Sequence, residues 1–219
     1  MKPAPQGVVF DNDGLLLDTE EAWTRAEVTL FARRGRTFTL EHKRSLLGSS
    51  RAIASSKLEA MLEQPAGTGP VLMDELAALV WDEVERGAPP MPGAVALLDA
   101  LRSQGTPVAL ASNSPRSFVD RVLSIAGLAN SFATTIAGDE VPAPKPAPDI
   151  YLEAARRLGF APARCVALED SPTGVAAAAA AGLFVIGVPS VEGVELAADL
   201  VAPSLGDPAV WRTLGLPVP

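Results

Sequence analysis

The sequence predicts an α/β fold: a parallel sheet with helices on both faces and an all-helical insertion between the first strand and the second. Three observations carry this. Short apolar runs at residues 7–10, 108–111, 165–168 and 184–188 alternate with longer stretches of helical periodicity, as in chains built from βαβ units. From Glu20 to about Val84 the helical pattern continues with no strand-like run beside it. The first three apolar runs also end in residues able to do chemistry, and open α/β sheets gather their functional groups at the carboxyl ends of strands.

Gly7-Val8-Val9-Phe10 reads as a buried strand and leads directly into Asp11-Asn12-Asp13-Gly14. Residues two apart on an extended backbone point the same way, so Asp11 and Asp13 enter one crevice. Two carboxylates that close are costly unless a cation lies between them or one holds a proton. The first solution suits a metal-bound nucleophile, the second an acid/base pair with separated pKa values. Turns after strands favour Asp, Asn and Gly for plain backbone reasons as well, so this tetrapeptide takes its meaning from the rest of the chain.

In the insertion, Ala22, Trp23, Ala26 and Leu30 form one apolar stripe, and Leu72, Leu76, Leu79 and Val80 another. Its exits are Gly14 on one side and the Gly- and Pro-rich stretch 87–93 on the other, which suits two tethers on which a helical layer can tilt over the crevice. Glu20 and Trp23 face this hinge by position, although Trp23 also fits the core stripe. The sole histidine, His42, lies in Glu41-His42-Lys43-Arg44, which reads as a solvated helix face, as does the cluster Arg33, Arg34 and Arg36.

The second strand, 108–111, is followed by Ser112-Asn113-Ser114-Pro115. Ser114 reads as the cap of a helix opened by Pro115, with a hydroxyl beside free N–H groups that can hold an anion. In Pro142-Ala143-Pro144-Lys145-Pro146-Ala147-Pro148-Asp149 the prolines restrict where Lys145 can reach, just before a helix near 149–158. The third apolar run, 165–168, begins with the single cysteine, Cys165, read as small buried filler. It ends in Glu169-Asp170-Ser171-Pro172-Thr173-Gly174. Helix dipoles favour acidic residues there, but two carboxylates aimed at the same crevice ask for more. The apolar stretch 175–189 is too short for a bilayer span and mostly Ala and Gly; it reads as a slim helix, a stop at Gly182 and a further strand.

At 219 residues, 48% hydrophobic and 20% charged, the chain can bury a sizeable core as one domain carrying an insertion. Its net charge of −8 argues against a nucleic-acid surface and against an anionic membrane. One cysteine forms no internal disulfide, and residues 1–6 carry no leader-like apolar run, so a cytoplasmic protein is expected, and it is read as a monomer.

Taken together, residues 10–20, Ala111-Ser112-Asn113-Ser114, Lys145-Pro146-Ala147-Pro148-Asp149 and 168–174 resemble the haloacid dehalogenase superfamily of phosphatases, in its β-phosphoglucomutase-like branch. The resemblance implies a Rossmann-like core at 1–18 and 89–219 under an α-helical cap at 19–88. It implies Mg²⁺ held by Asp11, Asp13 (through its backbone carbonyl) and Asp170, with Glu169 a ligand or oriented behind one. It also implies Asp11 as nucleophile, Asp13 as general acid/base, Ser112, Asn113 and Lys145 on the phosphate, and a small phosphorylated metabolite as substrate. Arg51, in Gly48-Ser49-Ser50-Arg51, and Glu20 are candidates for contact with the rest of that substrate.

Three neighbouring readings compete. A receiver module carries its acidic pair adjacent in sequence, and a dehalogenase proper lacks the second aspartate. A phosphosugar mutase shares every core residue. In the mutases, however, a cap histidine follows the Asp-Thr of the first motif and a lysine precedes the second hinge. Here the equivalent count from Thr19 reaches Trp23, and Leu79-Val80-Trp81-Asp82-Glu83 contains no lysine.

Overall fold

The computed structural model describes residues 4–219. Six strands form one parallel sheet: β1 (Gly7–Phe10), β2 (Val108–Ser112), β3 (Thr134–Ala137), β4 (Cys165–Glu169), β5 (Phe184–Gly187) and β6 (Leu200–Val201), in the order β3-β2-β1-β4-β5-β6. The chain leaves β1 for β2 on one side and later returns to place β4 on the other. The carboxyl end of β1 is therefore the switch point where such sheets open a crevice. Register brings the site together, since Phe10 pairs with both Leu110 and Leu168. Asp11, Ala111 and Glu169 thus leave the sheet side by side.

The two sheet faces are built from residues two apart. Val8, Phe10, Leu110, Leu168 and Ile186 pack under α5 (Ala94–Gln104), α6 (Arg116–Ile125) and α9 (Pro208–Thr213). Val9, Ala109, Cys165, Ala167 and Val185 pack under α7 (Asp149–Leu158) and α8 (Pro172–Ala180). Strands buried on both faces are apolar throughout. That is why 7–10, 108–111 and 165–168 are legible as runs, whereas the half-buried β3 and the two-residue β6 are not.

Between β1 and α5 lie α1 (Glu20–Ala32), α2 (Leu40–Leu46), α3 (Arg51–Met61) and α4 (Gly69–Val84). Ala22, Ala26 and Leu30 of α1 meet Leu72, Leu76 and Val80 of α4 in one buried cluster. The two connections to this layer run side by side: Asp18 N donates to Pro89 O at 2.8 Å and Met91 N to Leu16 O at 2.9 Å. Among the described residues no helix is long and apolar enough to cross a membrane.

The structure corrects two local expectations. Ser114 caps no helix: α6 starts at Arg116 with Pro115 as its N-cap, and the Ser114 hydroxyl is spent on Asp13. Segment 41–44 is no plain solvated face either. The His42 ring lies against Phe31 and Phe38 and its Nδ1 accepts from Thr39 N. Lys43 is paired with Glu20 at 3.0 Å, and Arg44 donates to the Glu192 carbonyl. Arg33 and Arg34 pair with Glu75, and Arg36 with Glu63.

Candidate active site

Asp11 sits one residue beyond β1, where its N–H donates to Leu168 O at 3.0 Å and locks it to the sheet. Its Oδ1 accepts from Lys145 Nζ at 2.6 Å. Lys145 is buried, and its ammonium is satisfied in full by Asp11, Ala111 O at 2.9 Å and Glu169 Oε1 at 2.5 Å. Burial opposes that positive charge, but the Asp11 and Glu169 carboxylates outweigh it and hold the lysine above its ordinary pKa. Lys145 is charged at any physiological pH.

Asp13 points into the same cleft but shares none of these partners. Its Oδ1 accepts from Thr19 Oγ1 at 2.8 Å, and its Oδ2 from Ser112 Oγ at 3.0 Å and Ser114 Oγ at 2.9 Å. Ser112 is fully buried behind Asp13, while Asn113 and Ser114 reach the cavity wall. Asn113 Oδ1 accepts from Lys145 N at 2.8 Å, and its Nδ2 donates to the Lys145 and Gly48 carbonyls at 3.2 Å each.

Three carboxylates, from Asp11, Glu169 and Asp170, bring oxygens within 4.8 Å of one another. Burial pushes both Asp11 and Asp170 well above the usual carboxylate range. Repulsion from Glu169 adds to this in both, and at Asp170 so does repulsion from Asp11. One ammonium against this set leaves negative charge in excess, which fits a hard divalent cation bound by oxygen. Glu169 is the most committed of the three: Oε1 takes Lys145 and the Tyr151 hydroxyl, and Oε2 takes Asp170 N, Ser171 N and Ser171 Oγ. Among the described residues Asp170 Oδ2 accepts only from Ser190 Oγ, at 2.5 Å. Two glycines keep this corner open. A Cβ on Gly14, whose φ is +83°, would strike Asp170, and one on Gly174 would strike the Glu169 carboxylate.

Residues 5–182 match the haloacid dehalogenase-like hydrolases. The chain belongs to this family. It is 33% identical over 187 residues to hexitol phosphatase B of Escherichia coli (strain K12), covering 84% of this chain and 83% of that protein. It is 35% identical over 197 residues to the protein CbbY of Rhodobacter capsulatus, covering 84% and 86%. The fold superposes on CbbY from Rhodobacter sphaeroides in complex with phosphate, with a TM-score of 0.81, 28% identity, 97% of this chain and 100% of that one. It also superposes on β-phosphoglucomutase from Clostridium difficile with a TM-score of 0.76, 24% identity and 92% of each chain. This haloacid dehalogenase-like hydrolase thus shares its fold with the β-phosphoglucomutase-like proteins that its motifs resemble. It is a phosphoric monoester hydrolase.

The hydrolase's cavity continues from these carboxylates up into the helical layer, where Trp23 and Trp81 line it together with Phe118 of α6 below. Phe118 touches both indoles, with ring centroids 5.9 Å from Trp23 and 5.5 Å from Trp81. Glu20 and Arg51 line it too, each already paired: Glu20 with Lys43, Arg51 with Asp74 at 2.6 Å on an exposed rim. Thr19, Ser114, Tyr151 and Ser190 escaped sequence reasoning as partners of the acidic residues. Only Thr19 and Ser114 carried a usable signal, by lying inside motifs beside a named aspartate.

Between the two aspartates, Asn12 is fully buried, and neither its amide oxygen nor its nitrogen finds a partner among the described residues. An unmet buried polar group costs about 1–3 kcal/mol. Asn12→Leu, which keeps the branched shape and replaces both polar groups by methyls, is expected to raise unfolding stability by about 1–2 kcal/mol, read as a shifted denaturant midpoint at constant slope. A destabilised variant would show that the amide is satisfied in solution.

Proposed function

We propose that this hydrolase is a Mg²⁺-dependent phosphatase of a small phosphomonoester, working through an aspartyl-phosphate on Asp11 with Asp13 as general acid and base. The observation that carries this is that Asp11 and Asp13 face one cavity with wholly different partners. A fixed ammonium holds the first, and three hydroxyls orient the second.

Asp11 attacks phosphorus as the ester P–O bond breaks. Asp13 gives its proton to the departing oxygen, then takes one from the water that attacks the aspartyl-phosphate and releases inorganic phosphate. The proton count closes over the cycle. The N–H groups ahead of α6 hold phosphate oxygens and Lys145 offsets charge as it develops. Ser112, buried behind Asp13, orients that carboxyl and the Asn113 amide fixes Lys145, so neither side chain meets the phosphate as the sequence suggests. Asp11, Asp170 and the Asp13 carbonyl would hold the cation, with Glu169, saturated by its own donors, fixing Lys145 and the turn at Asp170–Ser171. When bound, Mg²⁺ neutralises phosphate charge so that an anionic nucleophile can approach. Chelation is expected to abolish phosphate release and Mg²⁺ to restore it. Ca²⁺, which prefers more oxygens in looser geometry, should restore it poorly. Full activity in excess chelator removes the metal from the scheme.

The paired connections at 16–18 and 89–91 support reading 19–88 as a cap that tilts over a core of 1–18 and 89–219, with Glu20 and Arg51 on its substrate side. The same layer favours hydrolysis over phosphosugar transfer. Trp23 is packed against Phe118 where the mutases carry a histidine, and Glu83, in the lysine-free stretch, pairs with Arg25 and Arg86. Without those groups to couple closure to a sugar hydroxyl, water is the acceptor. Given β-glucose 1-phosphate and catalytic glucose 1,6-bisphosphate, little glucose 6-phosphate should form, whereas a panel of phosphomonoesters should yield inorganic phosphate. Efficient isomerisation with negligible phosphate release would establish the mutase instead.

A further inference from the structure

Glu27, on α1, lines the cavity above the phosphate end and is only 6% exposed. No donor among the described residues hydrogen-bonds or pairs with its carboxyl, unlike Glu20 two turns earlier on the same face of α1. Burial, with Glu20 adding repulsion and Lys43 opposing, pushes its pKa up to about 8. Its neutral form, able both to donate and to accept, is therefore favoured near pH 7.

Apart from the Glu20–Lys43 pair, the surroundings of Glu27 are largely apolar. Leu58, Met73, Leu76 and Val80 line the cavity with it, and the indoles of Trp23 and Trp81 supply flat aromatic surface. The lining cations are Lys43, Arg51 and Lys145, and each already faces a carboxylate. A second phosphate would have to displace one of those pairs. A polyol would have to bury several hydroxyls against a wall whose other polar side chains, Ser117 apart, already have partners, Glu20 with Lys43, Arg51 with Asp74 and Ser49 with Lys57, which costs more than one satisfied contact returns.

Building on the phosphatase reading above, we propose that the substrate is the monophosphate of an uncharged, flat, largely apolar alcohol bearing one distal hydroxyl or N–H, and that Glu27 is the specificity residue that binds this group. The departing alcohol lies along the Trp23–Trp81–Phe118 wall, and its single polar group meets the Glu27 carboxyl.

The test measures phosphate release from benzyl phosphate, 4-(hydroxymethyl)benzyl phosphate, sorbitol 6-phosphate and fructose 1,6-bisphosphate, all esters of alkyl alcohols of comparable reactivity, with p-nitrophenyl phosphate as control. The wild-type enzyme should favour the hydroxymethylbenzyl ester over the polyol phosphate and the bisphosphate by about tenfold or more in kcat/KM. Glu27→Leu should lose roughly fivefold to tenfold on that ester, through KM, and leave benzyl phosphate unchanged. Glu27→Gln, a neutral polar isostere that guards against a folding artefact, should stay within about threefold of wild type on both. A preference for sorbitol 6-phosphate or the bisphosphate overturns the inference while leaving the phosphatase intact. So does an equal loss on both benzyl esters in Glu27→Leu. No release from any ester, the control included, overturns the phosphatase reading itself.

Discussion

Asp11→Asn is expected to remove phosphate release, by a factor of at least about a thousand, or ~4 kcal/mol of transition-state stabilisation. The amide keeps the size of the carboxyl but cannot attack phosphorus. The fold should survive, because Lys145 retains Glu169 and Ala111 O as partners, and one of three crowded carboxylates is gone. Thermal unfolding of the variant checks the fold, and steady-state phosphate release checks the chemistry. A folded variant within about tenfold of wild type, a loss of only ~1.4 kcal/mol, would sink the nucleophile assignment.

Lys145→Met should strike stability and rate together. The ammonium is the one positive charge set between the buried Asp11 and Glu169 side chains, and stripping one partner from a buried ionic group costs about 3–5 kcal/mol. Catalysis should fall by about a hundredfold to a thousandfold, the scale of losing one fixed transition-state donor. Excess Mg²⁺ separates the two effects. An added cation should return part of the lost stability by binding the native carboxylates, without returning the rate. A variant whose rate recovers along with its melting temperature would make Lys145 a structural counter-charge only.

The residues that were legible in the sequence are those whose chemistry is tied to a strand end. Asp11, Asp13, Ser112, Glu169 and Asp170 each follow a fully buried run, so position along the chain already placed them at one edge. Lys145 was marked by the prolines around it. What stayed hidden depends on packing across the chain. Tyr151 reaches Glu169 because α7 lies on the sheet, and Ser190 reaches Asp170 only through the turn after β5. Segment 41–44 looked solvated because charge was visible and its partners, Glu20 and the carbonyl of Glu192, lay far off in sequence. Ser114 looked like a helix cap because Ser-Pro is a common helix start. At Ser171 the same dipeptide is one, with its Oγ accepting from Gly174 N.

Asn113 holds both backbone groups of Lys145 and, with the same side-chain amide, the carbonyl of Gly48 in the loop before α3. Gly48 in turn lies so close to Ser171 and Thr173 that a Cβ there would meet Ser171 Oγ at 2.6 Å. One amide thus spans the loop facing the organic half of the cavity and the lysine facing the phosphate half, so the two ends are thermodynamically linked. A ligand that shifts Gly48 changes the free energy of seating Lys145, and an anion that draws on Lys145 changes the free energy of seating that loop by an equal amount. Two inhibitors, one for each half, should therefore fail to bind independently. The factor by which each alters the other's dissociation constant should shrink toward one when Asn113 is replaced by alanine.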